Sequence, residues 1–203
     1  MGSSISKFLV DEVVCQRLNA SKLLKRINVQ CNNLKHLQVK TVCDIKLISN
    51  LFSKLENLEL AVSPLDKNGR LFSNFSNLRS LHINVVYHIF HQNEFEDGID
   101  DFLEGICQIP LLEVLVVERS QGGLKKISKA AQQGKLPLLQ RLSLRIIMHF
   151  ELEDVLSIAA HLKNLICFEI DNSLDIMDEI SDIFRVASTK YKHINFITRP
   201  LNH

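Results

Sequence analysis

The sequence predicts an α/β solenoid: a curved horseshoe with a parallel β-sheet on its concave face, helices on its convex face, and seven to eight repeats. Three observations carry this prediction. A short apolar pattern recurs along the chain as apolar, two residues, apolar, one residue, apolar. It reads Leu34-Leu37-Val39, Leu55-Leu58-Leu60, Leu78-Leu81-Ile83, Leu112-Leu115-Val117 and Leu139-Leu142-Leu144. It continues more loosely as Leu165-Phe168-Ile170 and Tyr191-Ile194-Phe196, and Ile5-Phe8-Val10 is a candidate first copy. Successive starts from Leu34 lie 21, 23, 34, 27, 26 and 26 residues apart, the near-regular period of a stacked repeat. Between copies the apolar spacing changes from two to three or four.

Each element follows from its local pattern. The second and third apolar members of a copy alternate with polar residues, as in a strand with one buried face. The first member marks the chain's entry beneath the strand. Leu24 and Ile27 suit a helix before the second strand, and Leu47-Ile48-Leu51-Phe52 one before the third. Leu71, Phe72 and Phe75 suit a shorter helix before the fourth. Phe102-Leu103-Ile106, Leu152-Val155-Leu156-Ala159 and Ile176-Met177-Ile180-Ile183-Phe184-Ala187 continue the series, and Gly122-Gly123 is a turn leading into another helix. No unit can bury its apolar face alone, and stacking neighbours creates one continuous core.

Several broad classes are excluded by composition. A length of 203 residues suits one domain, with hydrophobic and charged fractions of 46% and 23% that suit a globular protein. A formal net charge of +1 argues against holding nucleic acid by bulk electrostatics. No apolar run approaches the ~20 residues that span a bilayer, and no signal peptide opens the chain. Cys15, Cys31, Cys43, Cys107 and Cys167 fit neither a disulfide framework nor a zinc pattern. Reduced thiols in the cytoplasm or nucleus are expected.

The helix-to-strand passage Leu23-Leu24-Lys25-Arg26-Ile27 followed by Cys31-Asn32-Asn33-Leu34-Lys35-His36-Leu37-Gln38-Val39 resembles the leucine-rich repeats of F-box proteins. Leu138-Leu139-Gln140-Arg141-Leu142-Ser143-Leu144 after Pro137, and Pro110-Leu111-Leu112-Glu113-Val114-Leu115, look alike. The resemblance implies one leucine-rich-repeat domain over 1–203. It further implies a protein-binding role, as the substrate-recognition region of an F-box-type ubiquitin-ligase receptor; the alternative is a freestanding adaptor or scaffold. Two features depart from the family. The usual asparagine ladder is replaced by Val42, Ser63, Val86, Ser120 and Ser173, and no F-box is recognisable in the chain. Ligase components would therefore engage a region outside it.

Chemistry-bearing constellations are sparse. There is no phosphate-cradling glycine loop and no nucleophile elbow. His82, His88 and His91 with Glu94, Glu96 and Asp97 form the strongest metal candidate, but they lack ligands ordered on spaced elements, so a polar, solvated loop after the fourth strand is the preferred reading and no metal or other cofactor is expected. Cys31 and Cys167 suit small packing positions, since no histidine partner is implied. No enzymatic activity is expected. Met1-Gly2-Ser3-Ser4-Ile5-Ser6 matches a myristoylation pattern, yet Ile5 already suits the first strand, so no lipid or membrane partner is expected. One basic group is Lys22, Lys25, Arg26, Lys35, Lys40 and Lys46 and a second is Arg119, Lys125, Lys126, Lys129, Lys135, Arg141 and Arg145, while 94–104 and 151–182 are acidic. Alternating charge favours a dipolar protein partner over nucleic acid.

The partner is expected on the strand residues that alternate with the core. The central column is Gln38, Glu59, His82, Val116, Ser143, Glu169 and Asn195. One flank is His36, Asn57, Ser80, Val114, Arg141, Cys167 and His193, and the other is Lys40, Ala61, Asn84, Glu118, Arg145, Asp171 and Ile197. Val114 and Val116, beside Glu118, Arg141 and Arg145, make an apolar spot ringed by charge. His82, Glu169 and Asp171 join them as candidate contacts. Tyr87 and Phe90 are candidates on the overgrown loop 85–98.

Overall fold

The protein is described by a computed structural model over residues 7–10, 20–31, 33–63, 69–86, 102–119, 123–145, 151–172 and 176–200. Its strands are β1 (Lys7–Val10), β2 (His36–Val42), β3 (Asn57–Val62), β4 (Ser80–Val85), β5 (Val114–Glu118), β6 (Arg141–Arg145), β7 (Cys167–Asn172) and β8 (Asn195–Pro200). They form one 8-stranded sheet whose spatial order is the sequence order. Every pair is parallel. Each unit thus pairs only with its neighbours, which fits a repeat solenoid. The candidate first copy is a strand, with Phe8 opposite Leu37 and Val10 opposite Val39; Ile5 lies outside the described residues.

Parallel neighbours require a crossover after each strand. These crossovers carry α1 (Ala20–Gln30), α2 (Ile45–Leu51), a 3₁₀ helix (Gly69–Asn74), α3 (Gly123–Gln132), α4 (Leu152–His161) and α5 (Met177–Lys190), with a helical turn over 102–106. Their apolar stripes, including Leu24, Ile48, Phe72, Leu124, Val155 and Ile180, share one buried cluster with Leu37, Leu58, Leu81, Leu115, Leu142 and Phe168 of the strands. The helices therefore cover one sheet face, and the alternate strand residues occupy the other, open face.

Entry into β2, β3, β4, β6, β7 and β8 repeats one turn. The amide of Leu34 donates to the Cys31 carbonyl, Leu55 to Phe52, Leu78 to Phe75, Leu139 to Leu136, Leu165 to Leu162 and Ile194 to Tyr191. This explains the first apolar member of each copy: it closes the turn and is buried. Cys31 takes the place filled elsewhere by phenylalanine, leucine or tyrosine, the packing role expected of it.

The last copy is shifted from the expected register. Phe168 pairs with Phe196 and Cys167 with Asn195, while Ile194, not Tyr191, closes the entry turn. One residue separates Ile194 from Phe196, where two separate Leu165 from Phe168. Asn195 consequently moves to the first flank, Ile197 to the centre and Arg199 to the second flank, and His193 leaves the sheet. Phe196 is held by aromatic packing, its ring centroid 5.0 Å from Phe184 and 6.1 Å from Phe168. A second departure lies between β2 and β3, where Val39 pairs with Leu60 but Val42 with Ala61. This bulge displaces Lys40 from its expected place beside Ala61, which is buried.

The shorter crossovers pack closely. A Cβ placed on Gly105 would lie 2.1 Å from the Gly69 carbonyl oxygen and 2.8 Å from the Arg70 Cα. Glycine lets the 102–106 turn lie directly against the 3₁₀ helix, where Phe72 and Phe102 meet with centroids 6.1 Å apart. No helix among the described residues is long and apolar enough to cross a membrane.

Candidate functional site

The open face is organised by a chain of polar contacts running from strand to strand. Gln38 Nε2 on β2 donates to Glu59 Oε1 on β3 at 2.7 Å. Glu59 Oε2 lies 3.9 Å from His82 Nδ1 on β4, and His82 Nε2 meets Glu118 Oε1 on β5 at 2.9 Å. The same carboxylate oxygen accepts from Arg145 Nη1 on β6 at 2.7 Å, and Arg145 Nε lies 3.2 Å from Asp171 Oδ2 on β7. Alongside, Arg141 Nη2 donates to Glu169 Oε2 at 2.7 Å, and Arg199 Nη1 of β8 lies 3.1 Å from Glu169 Oε1. The contacts exist because parallel pairing in register sets Glu118 beside Arg145 and Arg145 beside Asp171. Polar and charged side chains thus tie neighbouring strands together across the open face.

Alternation places Glu169 and Asp171 on the open face, but both are buried, with relative exposures of 1% and 7%. Arg141 and Arg199 flank Glu169, while Arg145 lies against Asp171. Ser143, between Arg141 and Arg145 on β6, is likewise buried. Both carboxylates were expected to be exposed contact residues of this face, and in the structure they are covered. Neighbouring arginines hold them below the surface, and the arginines themselves are 38–58% exposed. Ser143 Oγ and Asp171 Oδ1 are buried without a hydrogen-bond partner among the described residues.

The electrostatics follow from burial and pairing. Burial raises the Asp171 carboxyl above its usual range, and neighbouring Glu169 adds to the shift; Arg145 and Arg199 oppose it. The hydrogen bond to Glu169 raises Arg141 further, so this guanidinium stays charged. Burial lifts the Cys107 thiol to about 12 and also raises Cys167. Both stay protonated at neutral pH and are poor nucleophiles.

Val114 and Val116 lie half-buried on β5, with Ser80 and His82 opposite on β4 and Arg141 and Ser143 opposite on β6. The structure thus brings His82, Glu118, Arg141, Arg145, Glu169 and Asp171 into two adjoining networks beside the valines. Tyr87 and Phe90 lie outside the described residues, as do His88, His91, Glu94, Glu96 and Asp97. Among the described residues, no group of three or more histidine, cysteine or acidic side chains is placed to hold a metal ion. Arg199 was missed. Counting from Phe196 as the second apolar member would have found it, but sequence spacing favoured Ile194 in that role.

The fold and open face define an α/β repeat protein with an eight-stranded parallel sheet. No family model matches the chain, and no curated protein matches it. A crystal structure of a Bacteroides fragilis protein is similar in fold, with a TM-score of 0.56 and 11% sequence identity, over 97% of this chain. The chain spans 65% of that protein's length. At this identity the likeness concerns architecture alone.

Proposed function

We propose that this chain is a leucine-rich-repeat module that binds another protein on its open sheet face, centred on Val114 and Val116 and the exposed arms of Arg141 and Arg145. The observation that carries the reading is the cross-strand network. It immobilises long charged side chains before any partner arrives, which lowers the entropy lost on binding. Eight strands at ~4.8 Å spacing give a face roughly 34 Å long, enough for the ~800 Å² of a standard interface.

Within that role, we favour substrate recognition for an F-box-type ubiquitin ligase in the cytoplasm or nucleus, on the resemblance of the Cys31–Val39 passage. The second reading, a freestanding adaptor, is kept because the network serves either equally. Proximity labelling with the wild type and with a Val114→Arg/Val116→Arg variant tests the face. Partners recovered by the wild type should be lost from the folded variant, and an unchanged set would overturn the assignment. Pulldown of the full-length protein with a cullin adaptor separates the two readings: enrichment supports the receptor, and none favours the adaptor.

A further inference from the structure

We propose a second binding site, on the helical side of the sheet, for a phosphate monoester group. It goes beyond the open-face reading and does not depend on it. A cleft of about 240 Å³ lies between the 102–106 turn and α3, lined by Leu103, Glu104, Cys107, Lys126, Lys129, Ala130, Gln133 and Lys135. Lys126, Lys129 and Gln133 lie at positions three and four apart and so form one helical stripe. Lys135 arrives differently. Gly134, at φ +72°, ends α3 in a left-handed turn. The Gly134 amide donates to Ala131 at 3.0 Å and the Lys135 amide to Ala130 at 3.0 Å. This paired closure of the helix end returns the chain to the cleft.

The charge balance favours an anion. Lys129 and Lys135 have no carboxylate partner among the described residues. Glu104, the acidic group lining the cleft, is 3.6 Å from Arg70 Nη2, which offsets its charge. The C-terminal dipoles of α3 and the 102–106 turn contribute at most about half a negative charge each, less than the ammonium groups of Lys129 and Lys135 supply. Cys107 adds none, since its thiol stays protonated. The ammonium groups of Lys129 and Lys135 and the Gln133 amide match a dianion with three acceptor oxygens. The Leu103 and Ala130 side chains provide room and apolar surface for the organic part that carries it. The two natural sources are a phosphorylated side chain of a partner and a small phosphate ester.

Amide resonances of the labelled full chain, titrated with inorganic phosphate and separately with a short phosphoserine peptide, test the site. Saturable shifts are expected in 103–107 and 126–135 with at least one probe. Tighter binding of the phosphopeptide than of phosphate supports a phosphorylated partner, and equal binding supports a free ester. Lys129→Glu with Lys135→Glu should weaken binding by roughly tenfold or more, Lys129→Gln with Lys135→Gln by less. Lys190→Glu with Lys192→Glu, remote from the cleft, should leave it unchanged. The proposal is overturned if neither probe gives saturable shifts in these segments, or if the cleft variants bind as the wild type does.

Discussion

Arg141 on β6 donates to Glu169 on β7 at 2.7 Å, and the carboxylate it holds is 1% exposed although it lies on the sheet face away from the helices. The guanidinium itself is half exposed. Water solvates one end of this pair, while the other depends almost wholly on protein partners. The two residues should therefore respond very differently to mutation.

Removing the cations should be the more damaging change. Arg141→Ala with Arg199→Ala removes both cations that pair with Glu169, and since water reaches part of the uncovered carboxylate, a loss of about 1–3 kcal/mol is expected. Glu169→Gln removes the charge and lets both arginines hydrate, so it should cost less than half as much. Urea denaturation of the variants measures the difference; equal losses would show that Glu169 is solvated in the folded protein.

Asp171 makes a pH prediction. Its carboxyl is raised in the folded state, mainly by burial, so the folded protein binds this proton more readily than the unfolded chain. Ionisation above the folded value works against the fold, and protonation as the pH falls through that value works for it. Asp171→Asn should therefore melt at or above the wild-type temperature at neutral pH. The gap should close as the pH falls towards the ordinary carboxylate range. A variant that melts well below wild type at neutral pH would mean that the Arg145 pairing outweighs desolvation.

Gly105 tests the close approach of two crossovers. In Gly105→Ala the added methyl meets backbone, at 2.1 Å from the Gly69 oxygen, which cannot swing aside as a side chain would. Destabilisation of about 1–3 kcal/mol is expected, read from thermal or urea unfolding. A neutral substitution would mean that the 102–106 turn is free to move away from the 3₁₀ helix.

Leu142→Ala tests the shared core. Leu142 is fully buried between Leu115 and Phe168 of the adjacent strands, and its truncation leaves a cavity that both neighbours line. The expected cost is about 2–5 kcal/mol. Val114→Arg, on the opposite sheet face, should cost far less in the same assay.

The repeating elements were legible in the sequence because they are dictated locally. Alternation at Leu37-Gln38-Val39 or Leu142-Ser143-Leu144 states which side chains face the core, whatever the neighbouring strand does. The helical stripe of α5 can likewise be read from Ile180, Phe184 and Ala187 alone. In the candidate site, the same alternation correctly put His82, Glu118, Arg141 and Arg145 on the open face, but it could not show that Glu169 would be covered. Coverage depends on the reach of side chains from two other strands.

Periodicity in this chain determined seven strands and a candidate eighth, their order and, away from the bulge in β2, the face that their residues take, because a residue's face depends on its own strand. Tertiary structure decided which residues meet across strands. The short entry from Ile194 to Phe196 moved Arg199 into line with Asp171 and its guanidinium to Glu169. The left-handed turn at Gly134 carried Lys135 to the cleft formed with the 102–106 turn. Both outcomes depend on loop length and aromatic packing between units, and neither leaves a periodic trace in the sequence.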